Sequence, residues 1–152
     1  MAGLDVTAPG SFKHTELKPL MDGYRQVVAQ RYTACAPTEL ARLLSAPPFR
    51  VSRKVDGELW FIVVVESGPV LVAANGRVGT GSSKIFEAAA VLAPGTVLAG
   101  ELYVPAGGAR ERVGDVSAAI AKGGDSLHFG AFDLIQDQKM NWRETTYAER
   151  LD

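Results

Sequence analysis

Between Thr15 and about Arg31, the apolar residues Leu17, Leu20, Met21, Tyr24, Val27 and Val28 recur at helical spacing. That spacing predicts a helix, which Pro19 and Gly23 weaken. Pro37-Thr38 opens a second, short helix, with Thr38 as its N-cap and Leu40, Leu43 and Leu44 as its apolar face. Pro47 and Pro48 end it. Residues 49–54 and 58–66 are rich in Val, Ile, Phe and Trp and read as strands joined at an Asp56-Gly57 turn. Ser67-Gly68-Pro69 marks another turn, residues 70–74 a third strand, and Asn75-Gly76 a third turn. Residues 82–93 are predicted helical and stop at Pro94-Gly95. A strand over 96–104, a glycine-rich loop (PAGGAR), a helix over 113–122 closed by Gly123-Gly124, and a strand over 126–135 follow. Residues 145–152 read as the start of a further helix. The lead-in, residues 1–12, reads as extended. There is no fixed-period repeat. Hairpins first and strand–helix alternation later define the class as α+β.

Composition narrows the function classes. The 152 residues fit one domain, and 47% hydrophobic with 22% charged residues suffices for a core. A formal net charge of −1 argues against a free-standing domain that grips nucleic acid by bulk charge. The single cysteine, Cys35, cannot form an internal disulfide, so a reducing compartment and a buried or idle thiol are expected. With only His14 and His128 beside it, no Cys/His metal site is available. The N-terminus lacks a basic stretch followed by an apolar one, and the longest apolar run, Leu59 to Val65, is too short to cross a bilayer. A soluble cytoplasmic protein with no membrane partner is the expectation.

The candidate chemistry begins at Lys54-Val55-Asp56-Gly57. Alone, K-x-D-G is a weak signal that a turn with an exposed flanking lysine explains. It does not stand alone. Asn75-Gly76-Arg77 follows the next strand, Gly100-Glu101-Leu102 lies in a later one, and Phe132-Asp133-Leu134-Ile135 ends a fourth. In this order and spacing the sequence resembles the covalent nucleotidyltransferase superfamily, and within it the adenylation domain of ATP-dependent DNA ligases most. The family's motif I is K-x-D-G, its motif III resembles D-G-E-[LIV], and its motif IIIa resembles F-D-[LIV]-[LIV]. The closing YAERLD is similar to the helix that follows motif IIIa. The resemblance divides the chain into a helical lead-in, residues 1–47, and a partial adenylation domain, residues 48–152. It implies an ATP-grasp-like arrangement of antiparallel sheets with flanking helices.

The resemblance also implies roles. Lys54 would attack the α-phosphorus of ATP and carry AMP as a phosphoramidate. Only a neutral amine is a nucleophile, so the site must favour that form. Asp56 and Gly57 would shape the turn that presents Lys54. Ser52 and Arg77 would join the nucleotide site. Glu101 would contact the ribose or help hold a metal, against a plain reading as an exposed strand carboxylate. Phe132 would stack on adenine, against a plain reading as core. Asp133 is either a supporting carboxylate or a surface group. ATP and Mg²⁺ are the implied cofactors, because the phosphates need their charge neutralised. Nicked DNA, or RNA, is the implied partner.

Three departures bear on this. Leu59 stands where K-x-D-G-x-R would place arginine, and Ala74 stands where an arginine precedes the Asn-Gly turn. The later E-G-[LIV]-[LIV]-x-K and K-x-K motifs are absent, as is an oligonucleotide-binding domain. The chain is therefore expected to be the N-terminal part of a longer enzyme, unable to seal nicks alone. An RNA ligase-like enzyme, a degenerate relative that binds nucleotide or nucleic acid without covalent chemistry, and an unrelated α+β domain are the alternatives. Arg42, Arg50, Arg53, Arg77 and Lys84 are either a basic surface or scattered surface charges. His128 reads as a structural histidine, and Trp60 as core.

Overall fold

The continuous apolar run Leu59–Val65 has a physical meaning in the computed structural model: it is the strand buried on both faces. The structure describes residues 3–29, 34–44, 53–107, 112–138 and 140–151. In chain order the elements are β1 (Leu4–Val6), α1 (Lys18–Ala29), a 3₁₀ turn (Pro37–Glu39), α2 (Leu40–Leu43), β2 (Glu58–Val65), β3 (Gly68–Ala73) and β4 (Val78–Gly81). Then come α3 (Lys84–Ala89), β5 (Val97–Tyr103), α4 (Val113–Ala121), β6 (His128–Gln136) and α5 (Tyr147–Leu151). The strands form one six-stranded sheet in the order β1-β4-β3-β2-β5-β6, with every pairing antiparallel. The α+β class holds, with a single sheet in place of the several anticipated.

Strand periodicity sorts the core into two layers. Trp60, Ile62, Val64, Leu71 and Leu102 pack with Ile85, Phe86 and Ala89 of α3 and Val116 and Ala119 of α4. Phe61, Val63, Val72, Val97, Ala99 and Ile135 pack with Leu20, Met21 and Tyr24 of α1, together with Phe12 and Trp142. Covering both faces is what makes β2 uniformly apolar instead of alternating. Residues 4–29 supply the edge strand β1 and the helix that covers the second face, so the N-terminal stretch belongs to the same core.

The helices start where local chemistry permits. Pro19 lies in the first turn of α1, where its missing N–H costs nothing. The Ser83 hydroxyl accepts from the Ile85 N–H at 3.2 Å and caps α3. Thr146 and Glu149 form a capping box for α5: the carboxylate accepts from the Thr146 N–H at 2.6 Å, and the Thr146 hydroxyl accepts from the Glu149 N–H at 3.4 Å. The Thr146 N–H, and the Thr146 hydroxyl that donates to the same carboxylate at 2.8 Å, hold the Glu149 carboxyl below its usual range.

Several expectations are corrected. Residues 53–56 carry no ladder partner, so the strand predicted over 49–54 is absent where described; residues 49–52 lie outside the described residues. The helix over 82–93 contracts to Lys84–Ala89. The second helix opens at Pro37 as expected, but its N-cap is Ala36, whose N–H bonds the Glu39 carboxylate at 3.0 Å, and not Thr38. Its apolar face stays exposed: Leu40, Leu43 and Leu44 are 43%, 47% and 45% accessible. Of the two readings of Cys35, buried or idle, exposure removes the first.

Candidate functional site

Lys54 approaches the sheet on a stretch, residues 53–56, that lies outside the strand ladder, and the chain then enters β2. The approach is close. A Cβ on Gly57 would sit 2.2 Å from the Leu102 carbonyl oxygen, so glycine is required where the chain crosses β5. Val55 reaches further and stands over Gly130 of β6. The Lys54 Nζ lies 3.6 Å from Asp56 Oδ1, with the two side chains 86% and 31% exposed. Lys54 is thus an accessible amine beside a carboxylate.

Glu101 of β5 sits between Leu59 of β2 and Gly130 of β6 in the sheet register. Val97 and Ala99, two and one strand repeats earlier, pack on the α1 face, so Glu101 points to that face. Burial pushes its carboxyl above the usual range; the charge of Lys54 opposes this, while Asp56 and Glu58 add to it. Its Oε2 is buried and has no hydrogen-bond partner among the described residues. The neighbour across the ladder is Leu59, which has no donor to offer.

Phe132 occupies an irregularity in β6. Ala131 pairs with Gly100 and Asp133 with Ala99, so Phe132 is the extra residue of a β-bulge. It packs half-buried against the α1-face core. Asp133 does not lie on the surface. Its carboxylate accepts from Arg150 at 2.6 Å (Nε to Oδ1) and 3.0 Å (Nη2 to Oδ2), and from the Tyr24 hydroxyl at 2.6 Å. The Tyr147 hydroxyl donates to the Phe132 carbonyl at 2.9 Å. The bulge that carries Phe132 is therefore pinned by α1 on one side and α5 on the other.

Arg77 is not part of this group. Its Nη2 bonds Glu58 Oε2 at 3.1 Å, and its guanidinium lies 5.1 Å from the centre of the Trp60 ring. Trp60 packs on the α3/α4 face, and Ser117 of α4 also donates to Glu58, at 3.4 Å. Arg77 therefore serves the face opposite Glu101 and Phe132. Ser52 lies outside the described residues, as does Arg50. The structure gathers Lys54, Asp56, Gly57, Glu101 and Phe132 on or beside one sheet face. It adds two residues that the motif pattern did not single out as site members, Tyr24 and Arg150; Glu58 stays on the opposite face and acts on Glu101 through its charge. The only sequence signal for Arg150 was the Arg in YAERLD. A separate cavity of about 500 Å³ between α1 and the β2–β3 hairpin, lined by Phe12, Lys18, Met21, Asp22, Phe61 and Val72, contains none of the predicted site residues.

A resident metal would need a ready cluster of donors, and no group of three or more His, Cys, Asp or Glu residues suited to a metal occurs among the described residues. Mg²⁺ commonly uses one or two carboxylates and completes its shell with phosphate oxygens and water. The unpartnered Glu101 Oε2 fits that limited role, and only that. No helix among the described residues is long and apolar enough to cross a membrane. No protein-family model matches the chain, and no curated protein or solved structure matches it.

Proposed function

We propose that this chain carries the nucleotide-bearing lysine of the adenylation domain of an ATP-dependent polynucleotide ligase, acting on DNA ends, with Lys54 as the residue that carries AMP. The observation that carries the reading is the convergence of Lys54, Asp56 and Glu101, with Phe132 packed on the same face as Glu101, although they lie up to 78 positions apart (132 − 54) in the sequence. In the reaction, the neutral Lys54 amine attacks the α-phosphorus, a nitrogen–phosphorus bond forms, and the bond to pyrophosphate breaks. The amine's proton leaves to solvent, which its exposure allows. Asp56 orients Lys54, Phe132 stacks on the base, and Glu101 Oε2 takes a hydroxyl of the sugar or the ion that accompanies the phosphates. That ion, Mg²⁺, supplies charge neutralisation at the triphosphate. AMP would then pass to a 5′-phosphate, for attack by a 3′-hydroxyl.

A second reading has a specific observation in its favour. Leu59 and the outward-bound Arg77 leave this face without the arginines that ligases place there. A relative that binds nucleotide without covalent transfer, or one closer to RNA ligases, accommodates both facts. Two measurements separate these readings. An acyl-phosphate derivative of ATP, which acylates lysines beside bound phosphates, should modify Lys54, and excess ATP should protect it. α-Labelled ATP with Mg²⁺ should then leave denaturation-resistant label that Lys54→Ala lacks. ATP protection without label supports the non-covalent relative. Modification of Lys54 no faster than that of Lys84 and Lys122, unaffected by ATP, refutes a nucleotide site at Lys54.

A further inference from the structure

The α1 face of the sheet holds a hollow that the site at Lys54 does not use. It is the cavity of about 500 Å³ between α1 and the β2–β3 hairpin. That volume lies in the range of small-ligand pockets. Buried Phe12, Met21, Phe61 and Val72 make its floor. Its rim is polar. Lys18, Asp22 and Gln26 follow at four-residue intervals on one side of α1, and all three are exposed. Lys18 donates to Asp22 Oδ2, which leaves Oδ1 and the Gln26 amide to meet the edge of a ligand ring. A second hollow of about 380 Å³ adjoins the first and shares Phe12, Lys18 and Asp22 with it. Lys13, His14 and Thr15 line this one, all exposed. The His14 ring lies stacked on Phe12, with centres 6.1 Å apart and planes at 19°. One hollow is thus apolar and backed by an aromatic pair, and its neighbour is rimmed by two lysines, a histidine and a hydroxyl. That division suits a nucleotide, whose flat base enters the first and whose phosphate enters the second.

The position of these hollows ties them to a strand end at Lys54. Ala74 lines the first hollow. Ala73 pairs with Trp60 in the ladder, so Ala74 stands beside Leu59, and Leu59 pairs with Glu101. Two strand spacings, about 10 Å, therefore separate Ala74 from Glu101. Leu59 and Ala74 are also the two positions at which the ligase pattern places arginine. Instead of cations, the sheet offers there a small apolar floor that opens into the hollow. We propose that the two hollows form a second nucleotide site, which takes one unpaired nucleotide of a DNA strand whose end lies at Lys54. Lys13 and Lys18 hold its phosphate, and the small side chain of Ala74 keeps the base hollow open. This rests on the polynucleotide-ligase reading above and adds to it a preference for a single-stranded end. It uses none of the residues assigned there to ATP.

The test titrates the chain with pentathymidylate, a single strand that does not pair with itself, over a series of salt concentrations. Wild-type binding should weaken with salt at a logarithmic slope of about 0.7 per neutralised phosphate. Ala74→Phe fills the base hollow and should weaken binding about tenfold or more, the scale of a lost base–aromatic stack, with the slope unchanged. Ala74→Leu should weaken it less. Lys13→Ala and Lys18→Ala should each lower the slope by about 0.7 and weaken binding severalfold at low salt. Ala74 is partly exposed with no positive φ, and both lysines are exposed, so melting temperatures should stay within a few degrees of wild type. A short blunt duplex of oligo(dA) and oligo(dT) should bind more weakly than the pentamer. No binding of millimolar pentamer by wild type overturns the site. So does unchanged affinity in Ala74→Phe, an unchanged slope in both lysine variants, or a duplex preferred over the pentamer. The outcomes separate from those of the covalent reading. If Lys54 takes AMP label and pentamer binding ignores these substitutions, the second site falls and the lysine assignment stands. If pentamer binding depends on them and no label forms, the second site stands and the covalent step falls.

Discussion

The Asp133–Arg150 pair offers the largest stability effect that the structure predicts. The two side chains are 1% and 7% exposed and meet through two hydrogen bonds, at 2.6 and 3.0 Å. Tyr24 donates a third bond to the carboxylate, and the Arg150 guanidinium also donates to the carbonyls of Thr145 at 2.7 Å and Trp142 at 3.3 Å. The bond to Asp133 lifts the Arg150 pKa above its ordinary value, the reverse of what its burial alone would do. Every polar atom of this cluster is engaged, so deleting one partner leaves the other buried without compensation. Arg150→Ala should cost about 3–5 kcal/mol, and Tyr24→Phe about 1 kcal/mol. Against a total of roughly 5–15 kcal/mol for a domain, the first is a large fraction. With a urea dependence of about 2 kcal/mol per molar, the unfolding midpoint of Arg150→Ala should fall by about 2 M. The double variant Asp133→Leu/Arg150→Leu should recover most of the loss, because it removes both charges together. A midpoint shift of Arg150→Ala below about 0.5 M would refute the reasoning. So would a double variant less stable than Arg150→Ala, since the cost would then come from lost packing and not from an orphaned charge.

Three further outcomes follow from the site. The Glu101 carboxyl is raised mainly by burial, so its contribution to stability is fully present below the unfolded value near 4.3 and is lost as pH rises through the higher folded value. Glu101→Gln should therefore melt higher than wild type at pH 7 and gain nothing at pH 4; a larger gain at pH 4 contradicts the sign. Leu59→Arg places a guanidinium directly across the ladder from Glu101 and should lower the Glu101 pKa, read by NMR titration of its side-chain carbon, for a stabilisation of about 0.2–1 kcal/mol. Arg77→Ala removes an ion pair and a ring contact on the opposite face; it should cost about 1–2 kcal/mol in urea unfolding and leave acylation of Lys54 unchanged.

The elements with strong pattern were legible in the sequence. β2, β5, β6 and α4 lie within a residue or two of their expected bounds, because each carries an apolar run or stripe bounded by turn residues. β1 and β4 were not legible. Leu4–Val6 is too short to show alternation, and Val78–Gly81 contains two glycines. They are strands because neighbours offer ladder bonds: β4 lies between β1 and β3, and the Thr7 hydroxyl holds the Val78 N–H at 2.9 Å. The apolar face of α2 misled in the opposite sense, since Leu40, Leu43 and Leu44 have the spacing of a buried stripe and no burial.

At the site, the limit of the sequence is which way each side chain faces, and two local features decide it. Simple alternation puts Phe132 and Asp133 on opposite faces, which is why a surface position for Asp133 stayed open. The bulge inserts one residue and brings both to the α1 side, where Asp133 can meet Tyr24 while Phe132 joins the same core. The Asn75-Gly76 turn acts likewise on Arg77. Gly76 takes φ +79°, and Asn75 Oδ1 accepts from the Arg77 backbone N–H at 3.2 Å and its Nε at 3.3 Å, which aims the guanidinium at Glu58 and Trp60. Leu59 connects these observations. It faces Glu101 where the ligase pattern would place a cation, and Arg77 is held on the other side of the sheet by Glu58. The α1 face is thereby left with a buried carboxylate oxygen whose opposing charge, among the described residues, is the exposed amine of Lys54. In the nucleotide-site reading, that imbalance makes ligand binding depend more on a hydroxyl donor at Glu101 and stacking at Phe132, and less on cationic grip of the phosphates.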